Sequence, residues 1–249
     1  MGNLACGFGA IIISGGARNT AMTDWASRIN EAVWLIILAA FFDILDGLVA
    51  RFSKSASRFG VEIDSLADVI SFGVAPAALI INFSLISKGN WAWILAFVYL
   101  MAASFRLARF NMTATVEEKT NFLGMPVPVA AVTLVSFILF KNEVLVNQNL
   151  EKYFIILILV TSALMVSVIE FETMPKFDFS KRINGIKVLS LIIIAIGMMI
   201  NSSLVLFPFV ALYIAIAIAR FMVNIFFNAG KGALAGKYKG FGRKKNREE

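Results

Sequence analysis

The sequence predicts an all-α integral membrane protein, a polytopic bundle of about eight transmembrane helices. Of its 249 residues, 59% are hydrophobic and only 16% are charged. A soluble domain of this size carries about 25% charged residues. The hydrophobic residues are grouped into runs that approach the roughly 20 residues needed to cross a bilayer, and the mean hydropathy is +0.81. These observations exclude an ordinary soluble protein.

The apolar runs define one transmembrane domain over residues 1–229. No internal repeat or second domain divides it. Residues 230–249 are rich in Gly and Lys and lack an apolar period, so we expect a disordered, basic cytoplasmic tail that lies against anionic headgroups. No nucleic-acid-binding fold accompanies this tail, and a nucleic-acid partner is not expected. The predicted spans are 3–17, 31–50, 63–86, 91–109, 126–141, 153–170, 186–201 and 203–226.

The distribution of Lys and Arg predicts how the bundle is oriented in the cell membrane. If the segment between the second and third spans is cytoplasmic, 18 of the 23 basic residues lie on the cytoplasmic side and 5 on the opposite side. Both termini are then cytoplasmic. This orientation also opens the acidic cluster between residues 43 and 68 toward the cytoplasm.

Four carboxylates in that cluster lie at helical spacing among otherwise apolar residues. Positions i, i+3, i+4 and i+7 share one face of a helix, and so do positions i, i+4 and i+8. The first such stripe contains Asp43, Asp46, Gly47 and Ala50. The second stripe contains Gly60, Asp64 and Asp68. Ionised groups at membrane depth cost about 3 kcal/mol each even on the mildest scale, so each requires a partner or a function.

Two facing stripes of carboxylates predict a site for one or two divalent cations. Oxygen ligands favour Mg²⁺ or Mn²⁺, and a chain with no His and one Cys lacks the ligands that softer metals prefer. Arg51 lies one turn beyond the first stripe, where it can bind an anion. The small residues of the two stripes, Gly47, Ala50 and Gly60, let a ligand approach the backbone. The pattern suggests a metal-bridged diphosphate. Asp68, deepest in the second stripe, is the candidate general base.

Other interpretations of the same residues remain open. Gly and Ala at helical spacing in membrane proteins are commonly sites of close helix packing. A single intramembrane Asp can relay a proton or sodium ion, or pair with Arg106 or Arg109. A cation-coupled transporter is therefore the alternative from a different functional class. A transporter would work without a nucleotide, and it would not explain the spacing between Arg51 and Gly60.

The complete pattern resembles the signature of the CDP-alcohol phosphotransferases, which reads Asp-x-x-Asp-Gly-x-x-Ala-Arg, eight residues, then Gly-x-x-x-Asp-x-x-x-Asp. The chain matches every specified position from Asp43 to Asp68. The resemblance implies a six-helix membrane core, a homodimer, and transfer of a phosphatidyl or similar group from a CDP-linked lipid to an alcohol with release of CMP. It implies that Asp68 is the base, and that the metal ligands are Asp43, Asp46, Asp64 and Asp68. The positions that line the cytidine diphosphate would be Gly47, Ala50, Arg51 and Gly60.

The acceptor is suggested by three further stretches. Residues 64–76, 104–111 and 124–128 resemble the phosphatidylserine synthase branch of this family, as does the number of eight spans. This resemblance implies CDP-diacylglycerol as donor and L-serine as acceptor. It leaves open another acceptor, glycerol 3-phosphate or inositol phosphate, and an archaeal ether-linked lipid as donor.

Residues at the end of the fourth span are the candidates for acceptor binding. A zwitterionic amino acid needs a cation for its carboxylate, and the guanidinium of Arg106 or Arg109 offers a bidentate fork. Asn111 is placed to orient either arginine. Both arginines are equally compatible with snorkelling to the headgroups. For Arg109, a contact with a lipid phosphate is also possible. Two prolines, Pro126 and Pro128, are expected to begin the fifth span rather than touch a ligand.

Overall fold

The structure is a computed structural model, which describes residues 1–17, 22–53, 58–88, 91–114, 121–145, 150–172 and 203–223. The predicted seventh span, 186–201, and the basic tail lie outside these residues. The helices are α1 Gly2–Gly16, α2 Met22–Ser53, α3 Arg58–Asp68, α4 Ala75–Lys88, α5 Ala92–Ala114, α6 Val127–Glu143, α7 Glu151–Val166 and α8 Ser203–Val223. A π-helical segment, Val69–Val74, joins α3 to α4.

The described part of the chain is helical apart from two short strands, which confirms the all-α prediction. Four stretches are long and apolar enough to cross a membrane, and α1 is a shorter apolar helix. The protein is thus a multi-pass membrane protein, but the expected number of eight spans is not confirmed. The four stretches are Asp24–Val49, Glu62–Phe83, Ala92–Met112 and Ser203–Val223.

The two strands, β1 (Asn121–Leu123) and β2 (Glu170–Glu172), pair antiparallel with Phe122 opposite Phe171. β1 precedes α6, and β2 follows α7. The turn after β1 depends on Gly124, whose φ of 80° lies in the region that favours glycine. Pro126 then caps α6, which begins at Val127, as the two prolines of this stretch predict.

A proline explains the π-helical segment. Pro76 lies in the first turn of α4 and has no N–H, so the carbonyl of Phe72 four residues earlier loses its α-helical donor. The hydroxyl of Tyr99 on α5 donates to this carbonyl at 2.9 Å. Both side chains are fully buried. The helix thus changes its hydrogen-bonding pattern directly after Asp68, at the kind of interruption that π-helical turns often mark.

Contacts between helices bring the ends of several of them together at one end of the bundle. The start of α1 meets the last third of α2, where the Met1 amino group contacts Asp46. At the opposite end, Asn142 of α6 donates to Asn30 of α2 at 3.0 Å. The buried core between the ends is apolar and includes the stacked rings of Phe137 and Phe154, whose centroids are 5.6 Å apart. The sequence-predicted site residues lie at the first of these ends.

Candidate active site

Three of the predicted carboxylates form a compact cluster. Asp64 and Asp68, one turn apart, share a face of α3, and Asp43 approaches them from α2. One oxygen from each of the three lies within 4.8 Å of the others. Three negative charges this close repel one another, and water near a membrane interior screens them weakly. The arrangement suits a hard divalent cation that accepts oxygen ligands.

The fourth predicted ligand, Asp46, has a different partner. It lies one turn beyond Asp43 on α2, and its Oδ2 accepts a hydrogen bond from the Met1 amino group at 2.9 Å. Its side chain is 47% exposed. It does not belong to the group of three whose oxygens approach within 4.8 Å. Its role as a metal ligand remains a prediction.

The small residues of the signature lie beside the carboxylates. A Cβ built on Gly47 would have no described neighbour within 4 Å, so this position faces open space and not a packed helix. Gly60 is exposed on α3. Both observations favour space for a ligand over the helix-packing interpretation. Ala50 and Arg51 lie on α2, but their side chains lie outside the described part of the structure.

Arg106 on α5 is a cation buried near the cluster. Its side chain is only 7% exposed, and the guanidinium carbon lies 5.1 Å from the centroid of the Phe110 ring. It is close enough to Asp68 for an electrostatic interaction. A buried guanidinium has lost much of its hydration, so this position disfavours snorkelling to the headgroups. Its positive charge lies close enough to Asp68 to act on an anionic group bound there.

Arg109 makes a set of structural contacts. Its guanidinium donates to the backbone carbonyls at the C-terminal end of α7, at 3.2 Å to Met165, 3.0 Å to Val166 and 3.1 Å to Ser167. These are the carbonyls that a helix leaves without intrahelical partners. A cation at that end also complements the helix dipole. These contacts give Arg109 a structural role, while its predicted contact with an acceptor or lipid phosphate remains a prediction.

Asn111 contacts Ser65 on α3. Its Nδ2 donates to Ser65 Oγ at 3.0 Å, and Ser65 follows Asp64 directly. The role of Asn111 in orienting an arginine remains a prediction. The hydrogen bond connects the end of α5 to the helix that carries two of the carboxylates, and so fixes their distance from Arg106.

Two residues at the site were not identified from the sequence. Asn3 on α1 donates through Nδ2 to Asp68 Oδ1 at 3.0 Å, and Tyr99 stabilises the helix that follows Asp68. Each is a single polar group in an apolar run, with no periodic pattern around it. A carboxyl group in an apolar run, as at Asp68, indicates that some donor must lie nearby, but the sequence does not show which one.

Comparison with known proteins agrees with this geometry. The family model described as CDP-alcohol phosphatidyltransferase matches residues 17–168, which include every carboxylate of the cluster as well as Arg106 and Asn111. This match extends over more than half of the chain. The chain belongs to the CDP-alcohol phosphatidyltransferase family. The signature between Asp43 and Asp68 is therefore the family's motif, and Asn3 lies outside the matched region.

Relatives within the family have named activities. The chain is 34% identical over 207 residues to the CDP-diacylglycerol–serine O-phosphatidyltransferase of Helicobacter pylori, covering 81% of this chain and 85% of that protein. It is 39% identical over 145 residues to the protein of the same name from Methanocaldococcus jannaschii, covering 58% of this chain and 65% of that protein. An archaetidylserine synthase of Methanothermobacter thermautotrophicus is 40% identical over 157 residues, covering 60% of each chain.

Proposed function

We propose that the protein transfers the phosphatidyl group of CDP-diacylglycerol to the hydroxyl of L-serine, giving phosphatidylserine and CMP. The names of the Helicobacter and Methanocaldococcus relatives support both substrates. The observation that carries the proposal is the cluster of Asp43, Asp64 and Asp68 with the buried Arg106 beside it. The protein is accordingly an enzyme of phospholipid biosynthesis.

The donor half of the site is built from α2 and α3. The carboxylates of both helices, Asp46 included, hold divalent cations, for which we propose two Mg²⁺ or Mn²⁺ ions. Divalent cations held there would supply positive charge for the diphosphate and for the leaving CMP. The open space beside Gly47 receives the cytidine diphosphate, with Ala50, Arg51 and Gly60 lining it. The acyl chains remain in the cytoplasmic leaflet.

The acceptor half is built from α3 and α5. Asp68 accepts the proton of the serine hydroxyl as the serine oxygen attacks the phosphorus nearest the lipid. The new P–O bond forms as the bond to the CMP oxygen breaks, so CMP leaves with the electron pair. Arg106 binds the serine carboxylate, because a buried guanidinium offers two parallel donors. Serine reaches the site from the cytoplasm.

The relatives also guide the choice among acceptors and donors. The archaetidylserine synthase is named for the same serine headgroup on a different lipid. Serine is thus common to the names of all three relatives, whereas the lipid differs. We retain CDP-diacylglycerol because the Helicobacter relative, of which the match covers 85%, is named for it. Glycerol 3-phosphate and inositol phosphate are the acceptors to be excluded by measurement.

The proposal includes an orientation and an assembly. With the carboxylate cluster on the cytoplasmic side of the cell membrane, both termini are cytoplasmic and soluble serine reaches Asp68 directly. The excess of basic residues on that side supports this orientation. The homodimer is proposed from the family resemblance.

The decisive experiment measures CMP release. The full chain, purified in detergent with Mg²⁺ or Mn²⁺ and CDP-diacylglycerol, is given L-serine, glycerol 3-phosphate or inositol phosphate in separate reactions. We expect CMP release with L-serine alone, and a lipid product that carries a primary amine. Each reaction is repeated with the Asp64→Asn variant as a matched inactive control.

Two results would count against the proposal in different ways. Folded protein that releases no CMP with any acceptor would refute the enzymatic function and favour a transporter. Release with glycerol 3-phosphate but not with serine would retain the phosphotransferase activity and refute the acceptor. A parallel assay with CDP-archaeol in place of CDP-diacylglycerol decides between ester-linked and ether-linked donors.

A further inference from the structure

Helix α1 contributes a polar residue to the site from outside the region that the family model matches. Asn3 is 2% exposed, and its Nδ2 donates to Asp68 Oδ1 at 3.0 Å. The two residues are 65 positions apart in the chain. One oxygen of Asp68 thereby has a hydrogen-bond donor on α1, a helix that carries none of the clustered carboxylates.

The backbone around Asn3 is held in place independently of its side chain. Its carbonyl oxygen accepts a hydrogen bond from Ser71 Oγ at 3.0 Å, and this contact is buried. One turn later, α1 approaches the same serine so closely that a Cβ on Gly7 would lie 2.6 Å from the Ser71 Cα. The position of Asn3 relative to Asp68 is therefore fixed by two contacts to the π-helical segment.

The other end of the Asn3 amide has no partner within the described part of the chain. Its Oδ1 is buried and accepts no hydrogen bond from any of the described residues. Reversing the amide would place that oxygen against the Asp68 carboxylate, so the orientation that donates to Asp68 is the favourable one. A buried carbonyl oxygen without a donor is costly, and a ligand that brings an N–H to this point relieves that cost.

We propose that Asn3 positions Asp68 and completes the acceptor pocket. Its N–H holds the Asp68 carboxylate in the orientation that receives the hydroxyl proton, and its free oxygen accepts a hydrogen bond from the ammonium group of the acceptor amino acid. This inference rests on the proposed function. The hydroxyl and ammonium groups of serine are carried by adjacent carbons, so serine bound at Asp68 brings its ammonium toward Asn3 while Arg106 holds the carboxylate.

Two substitutions separate these two contributions. Asn3→Asp keeps the size and an acceptor oxygen but removes the donor and adds a charge that repels Asp68. Asn3→Ala removes both the donor and the acceptor. We expect kcat to fall about 10- to 100-fold in both, the range seen when a group that orients a ligand is removed. We expect KM for serine to rise only in Asn3→Ala. Ser14→Ala is the matched control, since Ser14 is buried on the same helix and bonds only locally to Ile11.

A stability measurement tests the pairing without turnover. In metal-free protein, we expect Asp68→Asn to raise the melting temperature more in the Asn3→Asp background than in the wild-type background. The doubly substituted protein again has one amide donor and one carboxylate, with their positions exchanged. This double-mutant cycle isolates the interaction between the two residues. The doubly substituted protein should remain inactive, since it lacks the base.

The outcomes are distinguishable. Wild-type kcat in Asn3→Asp, or the absence of coupling in the cycle, would overturn the positioning role. An unchanged KM for serine in Asn3→Ala would overturn the contact with the ammonium. If wild-type protein releases no CMP with serine, the proposed function itself fails, while the stability cycle still reports whether Asn3 and Asp68 are paired.

Discussion

The Tyr99 hydroxyl donates to the Phe72 carbonyl at 2.9 Å, and this bond replaces the one that Pro76 removes. Tyr99→Phe would remove this donor from a fully buried carbonyl, at a cost of about 1–3 kcal/mol. We expect a lower melting temperature in detergent and reduced turnover, because the π-helical segment begins directly after Asp68. Tyr153→Phe is the control, as Tyr153 is 62% exposed. Equal melting temperatures for both variants would contradict the assigned role.

Arg109→Ala tests whether that residue is structural. The substitution removes hydrogen bonds to three carbonyls at the end of α7, and hydrogen bonds from a charged donor contribute about 1.5–3 kcal/mol. We expect a marked loss of thermal stability, with KM for serine unchanged in the protein that remains folded. Lys152→Ala, at an exposed position on the first turn of α7, should have neither effect. A raised KM at normal stability would instead support an acceptor role for Arg109.

Arg106→Lys tests the cation beside Asp68. Lysine keeps the charge but loses the planar fork that binds a carboxylate through two donors. We expect KM for serine to rise about tenfold, equivalent to about 1.4 kcal/mol of binding free energy, with KM for CDP-diacylglycerol unchanged. Initial rates over a serine titration at saturating donor provide the measurement. If only the donor KM changes, Arg106 belongs to the lipid or nucleotide part of the site.

Gly7→Ala tests the contact between α1 and the π-helical segment. The added methyl group would lie 2.6 Å from the Ser71 Cα, so α1 must move away from the backbone that follows Asp68. Overpacking of this kind costs about 1–3 kcal/mol. We expect lower stability and lower kcat, since Asn3 moves with α1. Gly15→Ala is the matched control on the same helix, because its Cβ would meet nothing within 4 Å, and it should be neutral or slightly stabilising.

Asp68→Asn separates binding from turnover. The amide keeps the shape of the carboxylate but cannot accept the hydroxyl proton, and loss of a general base reduces rates by about 10²- to 10⁴-fold. We expect binding of CDP-diacylglycerol, measured by its protection against thermal unfolding in the presence of Mn²⁺, to be retained. Chelation of divalent cations with EDTA should remove that protection in the wild type. Undiminished turnover of Asp68→Asn would refute its role as the base.

The sequence predicted the carboxylate cluster because its geometry is largely local. Asp64 and Asp68 share a face of one helix by their spacing alone, and Asp43 has a fixed place on the preceding helix. The prediction was less complete where contacts join distant segments. Asn111 bonds to Ser65, 46 positions away, and its role in orienting an arginine remains a prediction. No periodicity in either segment encodes which residues meet.

The sequence by itself determined the fold class and the family, and it predicted the residues of the donor half of the site. Each depends on apolar composition or on helical spacing, which are properties of short segments. Only the tertiary structure decided that Asn3 contacts Asp68, that Tyr99 supplies the donor lost at Pro76, and that Arg109 binds the end of α7. These contacts depend on which buried polar groups face one another when helices pack. Because a buried polar group must find a partner wherever the fold places one, its partner cannot be identified before the helices are assembled.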